Sequence, residues 1–237
     1  MALILKNEKI GQHIYWIEIE GKFEGNPGQF YMIKAGEYPL LRRPISIFSI
    51  DENSISFIYQ VVGEGTELIS KMIPGQTLDI KGPYGNGFPE VTGKIALVGG
   101  GVGIPPLYET SKKLREKEEV SLVDMYLGFS GDMFLKELWE KSCDNFIYNI
   151  GGFITDYIDV GKYDVILTCG PDIMMEKLTK ACIDKGIKIY VSKESRMGCG
   201  IGACLACTCK TKAGNKKVCH DGPVFSGEEV YYGEYKC

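Results

Sequence analysis

From residue 1 to about 92 the apolar positions come in short runs: HIYWIEIE, GQFYMIKA, PISIFSI, SISFIYQVV and TLDIKG, separated by Gly, Pro, Asn and Asp. Alternating runs with turn residues between them predict antiparallel strands, and this many short ones predict a small β barrel. One helix is expected inside the barrel, over Thr66 to Met72, opened by the turn Gly63-Glu64-Gly65-Thr66. The Gly/Pro-rich stretch GPYGNGFPE, from Gly82 to Glu90, then marks a boundary.

From about 93 to 195 the rhythm changes to an apolar strand followed by an amphipathic helix. KIALVGG precedes IPPLYETSKKLREK, VSLVDMYLGF precedes DMFLKELWEKS, and YDVILTCG precedes PDIMMEKLTKACIDKG; IKIYVSKES closes the series. This alternation predicts an α/β domain with a parallel sheet covered on both faces, and such sheets take ligands at the carboxyl ends of their strands. Residues 196–237 are rich in Cys and Gly and too few to hold a core unaided, so a third, small lobe is expected to need a metal or cluster as its nucleus.

Composition narrows the function classes. The 237 residues carry 27 Lys plus Arg against 31 Asp plus Glu, a net charge of −4 without like-charge blocks, which gives no footprint for nucleic acid or an anionic membrane. The apolar run before Lys6 is too short for a leader or a membrane span, so a cytoplasmic location is expected. Glycine, at 30 residues, is well above its usual share, so many positions need a permissive backbone. Of nine cysteines, six (Cys199, Cys204, Cys207, Cys209, Cys219 and Cys237) lie in the final segment. That clustering points to metal rather than to a spread disulfide framework.

Cys199, Cys204 and Cys207 follow the spacing C-x4-C-x2-C, with Cys219 further on. This is the plant-type spacing for a 2Fe-2S cluster. Gly198, Gly200 and Gly202 would let the loop wrap closely, with N–H groups turned toward sulfur. A structural zinc site also uses four cysteines, but usually as two close pairs. Cys209 is a substitute ligand in principle; Cys143, Cys182 and Cys237 read as ordinary small residues.

Two further constellations concern nucleotides. Arg42-Arg43-Pro44-Ile45-Ser46, then Ile58-Tyr59-Gln60, then Gly65 and Thr66 bring a guanidinium, a hydroxyl and a Gly-rich turn to the barrel, groups that suit a flavin and its pyrophosphate. Taken singly, each piece reads equally well as a structural Arg or a capped turn. Gly99, Gly100, Gly101 and Gly103 follow an apolar strand and precede a helix, the context for a dinucleotide pyrophosphate. Cys169-Gly170-Pro171 ends another strand, where a thiol would lie against a nicotinamide ring or simply fill space before a turn. The stretch GFSGDMF after the strand ending near Leu127 has no Arg or Lys for a 2′-phosphate, which favours NAD over NADP.

The blocks LLRRPISI, IYQ, GEGT, GPYGNGF, VGGGVGIPPL, TCGP, ESRMGCGIGACLACTC and VCHDGPVF occur in an order similar to that of the ferredoxin-reductase-like flavoproteins. Within them, the compact cysteine segment resembles the electron-transfer subunits of two-component, NAD-linked dihydroorotate dehydrogenases. The resemblance spans essentially the whole chain. It implies FAD contacts from Arg43 to Ser46, Ile58 to Gln60, Gly65 and Thr66, and a 2Fe-2S cluster on Cys199, Cys204, Cys207 and Cys219. It further implies an FMN-containing catalytic partner in a two-plus-two heterotetramer, with electrons from dihydroorotate passing through the cluster and FAD to NAD+. Two departures stand out. The family commonly has Arg at the place of Gln60, so Arg42 or backbone donors would have to compensate, and the stretch NFIYNIGGFITDYI is shorter than the family's Asp-Gly-Ser-containing loop. The competing readings are an NAD(P)H–ferredoxin or sulfide-linked reductase subunit and a zinc-stabilised binding module.

Overall fold

The computed structural model describes residues 1–231; Cys237 lies outside them. The first six strands are β1 (Ala2–Gly11), β2 (Ile14–Glu20), β3 (Phe30–Lys34), β4 (Arg43–Asp51), β5 (Ser54–Gln60) and β6 (Thr77–Tyr84), with helix α1 (Glu64–Ser70) before the last. They close into an antiparallel barrel in the order β1-β2-β5-β4-β3-β6. Inward residues such as Ile17, Ile19, Ile47, Ile55 and Phe57 are fully buried, as period-two alternation requires. β1 was not among the expected strands. Its run ALILKNEKIG fully buries only Ile4 and carries two register shifts against β2, so its polar positions mask the alternation.

The second unit holds β7 (Gly93–Gly100), α2 (Pro106–Arg115), β8 (Val120–Phe129), α3 (Lys136–Ser142), β9 (Asn145–Ile150), β10 (Val165–Cys169), α4 (Asp172–Lys185) and β11 (Lys188–Ser192). Ile95 and Leu97 of β7 face one core with Leu107 and Trp139, while Ala96 and Val98 face another with Met175 and Leu178. A sheet buried on both faces needs such unbroken apolar strands. β9, also not expected, is an edge strand with mostly exposed or half-buried residues.

After β11 the chain makes the cysteine loop, the hairpin β12 (Thr208–Thr211) and β13 (Gly214–Lys217), and helix α5 (Val218–Asp221). It then returns to the central sheet: β14 (Val224–Ser226) pairs antiparallel with β11, and α6 (Gly227–Tyr231) packs on α4. The sheet order is β14-β11-β10-β7-β8-β9. The cysteine segment is thus tied to the α/β unit by backbone bonds on both sides. No described helix is long and apolar enough to cross a membrane.

Barrel and sheet are joined by aromatic packing. Phe48 of β4 stacks on Tyr108 of α2 with ring centres 4.7 Å apart, and its edge meets Trp139 at 5.9 Å. Beside them the buried Glu109 accepts from Ile50 N at 3.3 Å, and Lys112 Nζ donates to Ser49 Oγ at 3.0 Å.

Backbone meets backbone where the turns after β7 and β10 cross. A Cβ on Gly103 would lie 2.5 Å from Gly170 Cα, and one on Gly170 would lie 2.8 Å from Gly100 O. Gly103→Ala is therefore expected to cost about 1–3 kcal/mol of stability, the usual penalty for overpacking. Gly131→Ala, which meets nothing within 4 Å, should stay within about 0.5 kcal/mol of the parent. Urea unfolding of the two variants checks this, and equal midpoints would contradict the close approach.

Candidate functional site

The flavin-type residues converge. Arg43, Pro44, Ile45 and Ser46 at the start of β4, Ile58, Tyr59 and Gln60 at the end of β5, and Thr66 of α1 all line one cavity of about 440 Å³. Strands β4 and β5 are neighbours in the barrel, which is why residues so far apart in sequence share a wall. Gly65 stands behind Arg43: a Cβ there would overlap the guanidinium, so only glycine lets that cation lie on the turn. Thr66 lines the cavity, but its hydroxyl holds the turn, accepting from Val62 N at 3.0 Å and donating to Gly63 O at 2.9 Å. Arg42, a candidate to compensate for Gln60, is committed to an ion pair with Asp79. One guanidinium nitrogen of Arg43 donates to Leu41 O; apolar side chains with that guanidinium and the Ser46 hydroxyl in one lining suit an isoalloxazine and an attached phosphate.

Of the opposite wall of this cavity, only Cys169 was singled out in the sequence. Val102 and Pro105 come from the turn after β7, Cys169 from β10, and Ser192, Lys193, Glu194, Ser195 and Met197 from the chain leaving β11. Gly99, Cys169 and Ser192 stand abreast across β7, β10 and β11. The signal available in sequence was positional: all three lie at the carboxyl ends of strands of the parallel sheet. Burial pushes the Cys169 thiol up to about 12, so it faces the cavity as a neutral group. Burial also raises the Glu194 carboxyl, helped by Asp172 and opposed by Lys193.

A second cavity of about 630 Å³ lies across the same turns, at the carboxyl ends of β7, β8 and β10 and the turn after β9. Gly100, Gly101 and Pro171 line it, with Phe129, Phe153 and Met174 among the walls. Gly99 and Gly103 do not line it. Gly99 packs against Leu107 and Leu127, and Gly103 and Gly170 give each other room. Gly151 to Thr155, within the stretch NFIYNIGGFITDYI that the resemblance set against the family's loop, sit in the short loop after β9 and line this cavity. The two cavities are separated only by the crossing itself, with Val102 and Cys169 on one side and Gly101 and Pro171 on the other.

The four cysteines form two pairs. Cys199 and Cys204 side chains interact, as do Cys207 and Cys219. Backbone N–H groups point at the sulfurs: Ile201 N and Cys204 N donate to Cys199 Sγ at 3.5 and 3.4 Å, Gly202 N to Cys219 Sγ at 3.1 Å, and Cys219 N to Cys207 Sγ at 3.4 Å. The loop reaches this shape with Gly200 and Gly202 at φ +75° and +78°. Those N–H groups draw the Cys199 thiol down to about 6, whereas burial pushes Cys219 up to about 12. Four cysteines in two pairs, with amide donors on the sulfurs of Cys199, Cys207 and Cys219, fit the donor set of a 2Fe-2S cluster. Among the described residues no three His, Cys, Asp or Glu side chains converge as a group for one metal ion. Cys209 lies on β12, beyond the loop.

Cluster loop and flavin-type cavity touch. Met197 is in the cavity wall two residues before Cys199, and Met32 of β3 packs beneath Gly200 while Phe30, two residues away on the same strand face, lines the cavity. On the far side Cys204 is exposed, with Ile201 and Leu205 exposed beside it.

Comparison with known proteins agrees with this geometry. Residues 194–231 match the family model described as the iron-sulfur cluster binding domain of dihydroorotate dehydrogenase B. The chain is 43% identical to the electron transfer subunit of dihydroorotate dehydrogenase B (NAD(+)) from Clostridium acetobutylicum, covering 96% of this chain and 95% of that one. It is also 43% identical to the Bacillus pumilus subunit, with 96% of each covered. Among solved structures it resembles a chain of an NADH-dependent reduced ferredoxin-NADP oxidoreductase, at TM-score 0.87 and 31% identity over 97% of this chain and 89% of that one. A cytochrome P450 reductase from Amycolatopsis shares the fold at TM-score 0.70 and 20% identity over 81% of this chain and 68% of that one. The chain belongs to the family of dihydroorotate dehydrogenase B (NAD(+)) electron transfer subunits.

Proposed function

We propose that this chain carries electrons from a separate FMN-containing dihydroorotate dehydrogenase subunit to NAD+, working in the cytoplasm within a two-plus-two heterotetramer. One observation carries this reading: the larger cavity, the flavin-type cavity and the cysteine loop lie in series, each sharing a wall with the next. FAD and a 2Fe-2S cluster, when bound, supply the exchange between a hydride and single electrons that such a series needs. Arg43 would neutralise flavin phosphate, and Ser46 would offer its hydroxyl to the ring system. The neutral Cys169 thiol would separate flavin from nicotinamide without placing a charge there. Gly100 and Gly101 would open the backbone to the dinucleotide, with Pro171 as a rigid wall. Cys199, Cys204, Cys207 and Cys219 would hold the cluster, and the exposed edge at Ile201, Cys204 and Leu205 would face the partner.

The likeness to the ferredoxin-NADP oxidoreductase chain supports a second reading, a reductase subunit with a larger iron–sulfur flavoprotein as partner. The protein that copurifies with the native chain separates the two.

Cys204→Ala is expected to abolish dihydroorotate-dependent NAD+ reduction by the reconstituted complex while leaving FAD bound at its parent stoichiometry, read from the visible spectrum. Coupling at the normal rate in that variant would contradict the route through the cluster loop. For the flavin cavity, Arg43→Gln should weaken FAD retention by roughly tenfold or more, the scale of one charge-assisted phosphate contact. Ultrafiltration followed by flavin fluorescence reads the loss, and full retention would remove Arg43 from the FAD site.

A further inference from the structure

The larger cavity has one charged residue among its described lining, Lys177. It lies on α4 one turn beyond Ile173, so the two share a helix face. Ile173 and Phe153 are 74% and 70% exposed, and both line this cavity. Two accessible apolar side chains at a sheet's carboxyl edge suit the faces of a purine, while the Gly100-Gly101 turn suits a pyrophosphate. Lys177 is the one cation in that described lining open to a phosphate on the ribose joining the two.

The Lys177 ammonium is already engaged. It donates to Asp156 Oδ1 at 2.6 Å. Asp156 ends the short turn Ile154–Asp156, whose Ile154 and Thr155 also line the cavity. The Lys177 bond holds the Asp156 carboxyl below its ordinary range. Sequence reasoning found no cation after β8 for a 2′-phosphate; the fold supplies one from α4 and pairs it with a carboxylate.

We propose that the Asp156–Lys177 pair selects against 2′-phosphorylated dinucleotides, with Asp156 occupying the one cation that would receive the phosphate and adding a like charge beside it. The inference rests on the larger cavity being the nicotinamide dinucleotide site. An uncharged 2′-hydroxyl meets no such repulsion, so NAD binding depends little on the pair. Because both side chains are more than half exposed, the discrimination is a modest surface-charge effect.

Calorimetric titration of the FAD- and cluster-loaded complex with NAD+ and with NADP+ tests this. Asp156→Ala should tighten NADP+ binding by roughly tenfold and leave NAD+ within about twofold, and the gain should vanish in Asp156→Ala/Lys177→Gln. Unchanged NADP+ affinity in the single variant, or a gain that survives in the double variant, would overturn the proposal. Met174→Trp, which fills the cavity, separates this from the parent reading. NAD+ still binding to that variant overturns the cavity's assignment. Loss of NAD+ there, together with unchanged NADP+ in Asp156→Ala, overturns only the role of the pair.

Discussion

The crossing of the turns after β7 and β10 is the constraint on which the arrangement depends. Gly103 and Gly170 bring two backbones into contact where any side chain would collide. Because nothing stands between these turns, Val102 and Cys169 can face one cavity while Gly101 and Pro171 face another. Hydride exchange demands two ring systems in contact, and orientation of that kind is where an enzyme gains most of its advantage. The glycines at this crossing therefore thin the wall between two cavities.

The same economy holds on the other side of the flavin-type cavity. Met197 belongs to its wall and Cys199 follows two residues later, so the cluster loop begins where the cavity ends. Met32 under Gly200 and Phe30 along the cavity tie that loop to the barrel through a single strand. The return of β14 to the central sheet then fixes the segment from its other end. A loop that could not hold a core by itself is held by two larger units, and a cluster would add the binding energy of its four thiolates.

What the sequence disclosed follows from how local each signal is. The cysteine spacing is compact and chemically specific, so the four cysteines stood out as a set, and the structure pairs them two by two. The barrel and the parallel sheet were readable from their periods, except for β1, whose polar positions blur the alternation, and β9, an edge strand with little to bury. The cavity linings were only half readable. Arg43 to Ser46 and Ile58 to Gln60 announced themselves and the stretch holding Gly151 to Thr155 stood out against the family's loop, but Ser192 to Ser195 and Met197 reach the cavity only because several strands end at one edge. Arg42, adjacent in sequence to a cavity residue, turned out to be spent on Asp79.

The central claim is that one chain houses both a flavin and a two-iron cluster. Quantitation of flavin, iron, acid-labile sulfide and zinc in anaerobically prepared native protein tests it most directly. The account predicts one FAD with two irons and two sulfides per chain. Zinc in place of iron, or iron without labile sulfide, would contradict it.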